Sequence, residues 1–178
     1  MDSSEIPFLQ DISFQSLTYG SLNIDEVIFY IKAFLEEEPD ASYSLIIGTD
    51  SHERNGARGN KNGIDINLVT AILVHRKGFG GRYFWRRKDL SHIHSLREKI
   101  YAETMMSLNF ASTFVPLLKR NLNGKAPNYD LEIHIDVGEH GDTRDMIKEV
   151  VGMVTGNGFV AKTKPESFGA SYVADKHT

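Results

Sequence analysis

Four carboxylates are the residues best placed to do chemistry: Asp50, Glu103, Asp136 and Asp175. Asp50 follows the apolar run Leu45-Ile46-Ile47, and Asp136 follows the alternating Leu131, Ile133 and Ile135. Both therefore belong at carboxyl ends of strands, where an open sheet with parallel strands gathers its functional groups. Glu103 interrupts the apolar face Leu96, Ile100, Phe110 and Phe114 of a long helix, and a carboxylate on such a face is desolvated unless something neutralises it. Asp175 lies in a short terminal helix and could supply a fourth acid. Adjacent carboxylates repel, and one takes up a proton unless a cation sits between them. With oxygen donors that cation is a hard divalent ion, Mg²⁺ or Mn²⁺. Each acid also has an ordinary reading: an Asp after a strand is a turn former, a helix Glu can snorkel, and a chain-end Asp is solvated. Glu98 rivals Glu103, but five positions along an ideal helix it points about 140° away, off the apolar stripe.

The elements that must position these acids can be read from the pattern. Asn23 with Glu26 has capping-box spacing, and Ile24, Val27, Ile28, Ile31, Phe34 and Leu35 follow at helical period up to Pro39. Leu45–Ile47, β-branched and non-alternating, predicts a central strand covered on both faces. Residues 53–63 read as a long Gly/Asn-rich loop. Strands over roughly 64–75 and 82–87 flank the turn Gly78-Phe79-Gly80-Gly81 and form a hairpin. A long helix follows Ser91, kinked or ended by Pro116. After the strand ending at Asp136 comes a helix capped by Asp142 or Thr143, with Met146, Ile147, Val150 and Val154 inside and Gly156-Asn157-Gly158 as its stop. A strand over 159–163 and a helix over 170–176 complete the chain. Residues 1–22 carry Phe8, Leu9, Ile12, Phe14 and Leu17 without a period and are expected to lie across a core they do not build. A hairpin followed by β-α-β crossovers predicts a mixed α/β sheet, antiparallel at one edge, with helices on its faces. Asp50 and Asp136 would then end neighbouring strands.

Composition sets the bounds. A chain of 178 residues, 40% hydrophobic and 25% charged, is one globular domain over 1–178, with 1–41 as an N-terminal extension holding one helix. There are no cysteines, which excludes disulfides, a thiol nucleophile and Cys-ligated zinc or iron–sulfur sites. No signal peptide and no long apolar run is seen, so a soluble cytoplasmic protein with no membrane partner is expected. The net charge of −4 gives no global attraction to nucleic acid, so a polyanion would need a locally basic face.

Together these residues resemble a known family. A strand, Thr49-Asp50-Ser51, a Gly/Asn-rich loop and a hairpin look like the opening of the ribonuclease H-like superfamily. Glu103 with Met106, Ser107 and Leu108 is similar to its helix-borne glutamate, Asp136 to the aspartate ending strand four, and Ala174-Asp175 to the aspartate of the last helix. The phrases IGTDSH, VHRKGFGGRYF, HIDVGEHGDTRDMIKEVVGMVTGNGF and KPESFGASYVADKHT resemble the bacterial YkuK-type ribonuclease H-like family over about residues 8–178. The resemblance implies a mixed five-stranded sheet, three antiparallel strands plus parallel ones, with helices on both faces and an extra N-terminal helix. It implies a two-metal nuclease acting on RNA, RNA/DNA hybrid or structured DNA, with Asp50, Glu103, Asp136 and Asp175 catalytic and holding two Mg²⁺ or Mn²⁺ ions. A catalytically silent binding module of the same fold is the alternative. The chain departs from the superfamily where a loop histidine often precedes the last helix: Glu166-Ser167-Phe168-Gly169 stands there, and neither His140 nor His177 aligns with it. The basic insertion that helps some members grip a hybrid is also absent after the long helix.

A nucleic-acid surface has its own candidates. Residues 76–88 hold Arg76, Lys77, Arg82, Arg86, Arg87 and Lys88 with no acid, interleaved with Phe79, Tyr83, Phe84 and Trp85. Such cations neutralise phosphates, and exposed aromatics stack on bases. Strand alternation puts Tyr83 and Trp85 on one side and Arg82, Phe84 and Arg86 on the other, so not all can meet a ligand. Arg54, Arg58 and Lys61 would project from the loop beyond Asp50. His92 with His94, or His134 with Asp136, has chelating spacing, but exposed loop and strand histidines are the commoner explanation of such spacing. No phosphate loop, dinucleotide fingerprint or nucleophile elbow is found.

Overall fold

The computed structural model describes residues 12–54, 63–124, 127–139 and 143–177. In chain order the elements are β1 (Phe14–Ser16), β2 (Gly20–Leu22), α1 (Ile24–Glu37), β3 (Tyr43–Glu53), β4 (Ile64–Arg76), β5 (Gly80–Ile93), α2 (Leu96–Leu122), β6 (Tyr129–His134), α3 (Ile147–Gly156), β7 (Val160–Lys162) and α4 (Gly169–His177). The strands form one sheet in the order β2-β1-β5-β4-β3-β6-β7. The expected five strands are β5-β4-β3-β6-β7, with β3–β4 and β4–β5 antiparallel and β3–β6 and β6–β7 parallel. Among the described residues the sheet has seven strands rather than five because the N-terminal segment adds a hairpin, whose β1 pairs with β5 at Gln15↔Trp85. Three-residue strands are too short to show a period. Phe14, fully buried against Phe110, is part of the core that this segment was expected only to cross. Phe8 and Leu9 lie outside the described residues.

Helix α1 starts as its sequence dictates. The Asn23 carboxamide accepts from the Glu26 N–H at 2.9 Å, and the Glu26 carboxylate accepts from the Asn23 N–H at 2.8 Å. Asn23→Ala is expected to lower stability by about 1 kcal/mol, read as a shifted urea midpoint with an unchanged slope. Pro116 sits inside α2 rather than ending it. Val115, Leu117 and Leu118, all buried on either side of it, outweigh the lost hydrogen bond. The helix stops instead at Asn123, in the left-handed conformation. Thr143 does not cap the next helix; its hydroxyl accepts from the Gly138 N–H at 3.3 Å, and a 3₁₀ turn, Arg144–Met146, leads into α3. Asp142 lies outside the described residues.

Both faces of the sheet are covered. The main core packs α1, α2 and α3 against one face through Ile47, Ile72, Phe84 and Ile133. On the other face α4 packs through Val173 and Ala174 on Val69, Ala71 and Trp85. No helix among the described residues is long and apolar enough to cross a membrane.

Candidate metal and nucleic-acid site

Strand β3 is buried from Tyr43 to Ser51 and runs three residues past Asp50, so Asp50 lies within the strand rather than at its end. Side chains alternate across a strand. Thr49 and Ser51 face α2, where Ser107 donates to the Thr49 hydroxyl at 2.9 Å and the Ser51 hydroxyl donates to Glu103 Oε1 at 2.6 Å. Asp50 therefore faces the α4 side. The last parallel pair of β3 and β6 is Gly48↔His134, so Asp50 and Asp136 each follow two residues later on adjacent chains. Asp136 shares the α4 side, for Ser171 of α4 donates to its Oδ1 at 3.2 Å. The expected adjacency of these two aspartates is thus met.

Burial raises the pKa of Asp50, Asp136 beside it raises it further, and the Ser51 N–H, donating to Oδ1 at 2.7 Å, works in the opposite direction. Glu103 is 3% exposed, and burial pushes its carboxyl up to about 7 despite the Ser51 hydroxyl and the Lys99 ammonium 3.8 Å away. Asp50 and Asp136 also act on Glu103, so the three acids share one field although Glu103 reaches it from the opposite face. Two lysines supply positive charge. Lys164 Nζ lies 2.9 Å from Asp136 Oδ1, and its pKa is raised chiefly by that bond. Its backbone is fixed by donating to the Val137 carbonyl at 2.8 Å, and its side chain leans so closely on Gly138 that a Cβ there would meet Lys164 Cβ at 3.1 Å. Beside it opens a cleft of about 520 Å³ lined by Gly138, Glu139, Thr163, Lys164, Pro165 and Glu166.

The other sequence candidates are placed differently. Asp175 is largely exposed, 3.9 Å from His52 Nε2, and is not among the groups that perturb Asp50 or Glu103. Glu98 accepts from the His94 N–H at 2.7 Å and serves the start of α2. Among the described residues, no three His, Asp or Glu side chains stand close enough to hold an ion together. Neither ring nitrogen of His134 is free to chelate: Nδ1 accepts from the Gly169 N–H at 3.1 Å, so Nε2 carries the proton that faces Glu132 at 3.0 Å. A Cβ at Gly169 would meet Ile46 at 2.7 Å, so only glycine lets α4 begin there. His177 stacks on Trp85 at 3.6 Å and meets the Tyr83 hydroxyl at 3.1 Å. Arg76 is held by the Phe34 ring, the Phe34 carbonyl and Glu37, and Arg82 also lies over Phe34. Both stand near the start of β3, ~20 Å along the strand from Asp50. Arg54 pairs with Asp89 at 2.9 Å near the acid end, and Arg86 is buried in part beside Met106. Arg58, Lys61 and His140 lie outside the described residues.

Lys164, Lys99, Ser51 and Ser171 were not candidates in the sequence. Ser51 adjoins Asp50 and Lys99 precedes Glu103 by one helical turn, so both had a spacing signal; Lys164 and Ser171 are brought in only by the crossover to β7 and α4.

The order β5-β4-β3-β6-β7, with Asp50 in the central strand β3, Asp136 two residues past the end of β6 and Glu103 on the helix between β5 and β6, agrees with the sequence comparison. The family described as Ribonuclease H-like matches residues 26–178. The chain belongs to the ribonuclease H-like family. It is also 32% identical over 173 residues to the uncharacterized protein YkuK of Bacillus subtilis (strain 168), covering 93% of this chain and 96% of that protein. No solved structure matches. The ribonuclease H-like match begins within α1, so the β1–β2 hairpin lies before it.

The donor chemistry of the ribonuclease H-like site fits a hard divalent ion at Asp50 and Asp136. Both offer only oxygen and they are adjacent, while the Lys164 ammonium that now faces Asp136 would have to give way to the ion. Mg²⁺ is commonly held by one or two carboxylates with water and substrate phosphate completing its shell, so two acids suffice for one ion.

Proposed function

We propose that this protein is a divalent-metal-dependent phosphodiesterase acting on nucleic acid in the cytoplasm, with Asp50 and Asp136 holding Mg²⁺ or Mn²⁺. The observation that carries the reading is the pairing of a desolvated Asp50 in β3 with Asp136, two residues past the end of the neighbouring parallel strand β6, where the shared charge calls for a cation. When bound, such an ion supplies Lewis-acid activation of water and stabilises the leaving oxygen of an in-line displacement. The chain's own residues do the rest. Glu103 fixes the Ser51 hydroxyl, and the Ser51 N–H orients Asp50. Lys164, at the mouth of the cleft, can turn from Asp136 to a phosphate oxygen. A second ion would require Asp175 to leave His52 or Glu103 to leave Ser51. Arg54 and the basic loop residues Arg58 and Lys61 would serve the incoming polyanion. Labelled RNA, RNA/DNA hybrid and DNA, incubated with Mg²⁺, Mn²⁺ or EDTA, test the reading; metal-dependent product supports it, and no product on any substrate opposes it.

One contact favours the silent binding module instead: Lys164 already neutralises Asp136. Under that reading nucleic-acid binding survives EDTA and Asp136→Asn without product. Under the metal reading Lys164 competes with the ion. Lys164→Ala is then expected to tighten Mn²⁺ binding roughly fivefold, the value of about 1 kcal/mol for a solvated charge pair, as measured by calorimetric titration.

A further inference from the structure

Helix α4 carries two large aromatic side chains to solvent on the side of the sheet where the acid pair stands. Phe168, immediately before its first residue, is 51% exposed, and Tyr172, one turn later, is 52% exposed. Neither is loosely held. The Phe168 N–H donates to the Glu166 carbonyl at 3.1 Å, and its carbonyl accepts from the Tyr172 N–H at 3.0 Å. Its ring meets the buried His134 ring at 73°, with centroids 5.3 Å apart. Lys176, a further turn on, places its ammonium 4.1 Å from the centre of the Tyr172 ring and donates to the Tyr172 hydroxyl at 2.5 Å. Phe168, Tyr172 and Lys176 therefore form one row along the helix.

Two contacts tie this row to the acids. His134, against which Phe168 packs, accepts from the Gly169 N–H and precedes Asp136 by two residues. Ser171, a turn after Phe168 and its neighbour on the helix surface, donates to Asp136 Oδ1 at 3.2 Å. The acids around the row are Glu132, which faces His134, Asp175, which faces His52, and Glu139 and Glu166, exposed at the cleft beside Lys164. With those acids on the rim, charge alone does not draw a polyanion here, and the attraction has to come from the ring faces. An aromatic face stacks on any base. Phe168 and Tyr172 are ~6 Å apart along the axis, wider than the roughly 3.4 Å base rise of a duplex strand. The two rings thus fit the splayed bases of an unpaired strand and not a stacked, paired one.

We propose that Phe168 and Tyr172 are a stacking platform for two bases of an unpaired nucleic-acid strand, which makes a single strand, rather than a duplex, the substrate presented to Asp50 and Asp136. The inference rests on the nucleic-acid reading above and narrows it. Lys176 at the far end of the row and Lys164 beside Asp136 stand where the phosphates on either side of those bases pass.

Binding by the full chain in EDTA, where cleavage does not compete, tests the platform. Wild type, Phe168→Ala, Phe168→Tyr and Tyr172→Ala are titrated with a single-stranded oligonucleotide carrying 2-aminopurine, with the same strand annealed to its complement, and with an abasic strand of equal length. Wild type is expected to quench the 2-aminopurine and to bind the single strand roughly fivefold or more tightly than either of the others. Phe168→Ala and Tyr172→Ala each lose roughly fivefold or more on the single strand, while both bind the abasic strand as wild type does. Phe168→Tyr keeps its affinity. Tyr172→Ala, at an exposed position, keeps the wild-type Tm, so its loss is not unfolding. A wild-type preference for the duplex, or single-strand binding unchanged in both alanine variants, overturns the platform and leaves the phosphodiesterase reading standing. Absence of wild-type binding to every strand overturns the platform too, and metal-dependent product in the separate cleavage assay then shows whether the phosphodiesterase reading fails with it. Dimerisation of wild type that Phe168→Ala abolishes would assign this face to a second copy of the chain and overturn the proposal.

Discussion

Asp50→Asn is expected to reduce metal-dependent cleavage of nucleic acid by at least ~100-fold, beyond the 10–100-fold loss that follows removal of groups that merely support a ligand. The substitution keeps the side chain's shape and one oxygen, so the Ser51 N–H retains its acceptor. It removes the negative charge that makes the Asp50–Asp136 pair attract a cation. The fold is not expected to suffer. Burial and Asp136 both disfavour the charged form of Asp50, so a neutral amide is tolerated at that place, and the Tm should equal or exceed that of the parent. Loss of activity together with loss of stability would instead assign Asp50 a structural role. Cleavage unchanged in Asp50→Asn would remove the aspartate pair from the reaction.

Glu103→Gln is expected to stabilise the metal-free protein in alkaline but not in acidic solution. The carboxyl has an ordinary value of 4.5 and is pushed up to about 7 in the fold, first by burial. Below pH 4.5 it is protonated in both folded and unfolded chains and contributes no pH dependence. Between 4.5 and 7 the unfolded chain gives up its proton first, so the folded state binds more protons and stability falls as pH rises. Above 7 the full penalty is present, roughly 3 kcal/mol. Glutamine escapes that penalty and still offers a carbonyl oxygen to the Ser51 hydroxyl. In EDTA the variant should exceed wild type by up to roughly 3 kcal/mol at pH 8, and the two should converge near pH 4. Urea unfolding at the two pH values checks this, and an equal difference at both would show that Glu103 does not titrate with a raised pKa.

The parts of the architecture that repeat over many residues are legible in the sequence. The β3 run Leu45-Ile46-Ile47, the capping box at Asn23 and the stripe on α2 each use a periodic or local signal that falls within its element, although α2 starts at Leu96 rather than just after Ser91, because β5 runs on to Ile93 and Ser95 caps the helix. The β1–β2 hairpin was not legible, because two strands of three residues carry no period and are held by pairing with β5, a contact remote in sequence. The site divides in the same way. Asp50 and Asp136 are marked by the strands that precede them, and Glu103 by its place in an apolar stripe. Lys164 has no such mark: it reaches Asp136 because the segment after β7 hydrogen-bonds to Val137, a tertiary event. Asp175 shows the converse, since its motif position is clear while its side chain faces His52 and solvent. Arg76 and Arg86 sit in one basic stretch of sequence and have unlike fates. One staples α1 to the sheet through Phe34 and Glu37, and the other meets the Met106 sulfur and no acid among the described residues.

The central claim is that Asp50 and Asp136 form a divalent-cation site, and direct titration with Mn²⁺ followed by electron paramagnetic resonance tests it without reference to any substrate. Saturable binding to the wild-type protein that is lost in Asp136→Asn is the expected result. Absence of saturable binding to wild type, or binding that persists unchanged in Asp136→Asn, would contradict it.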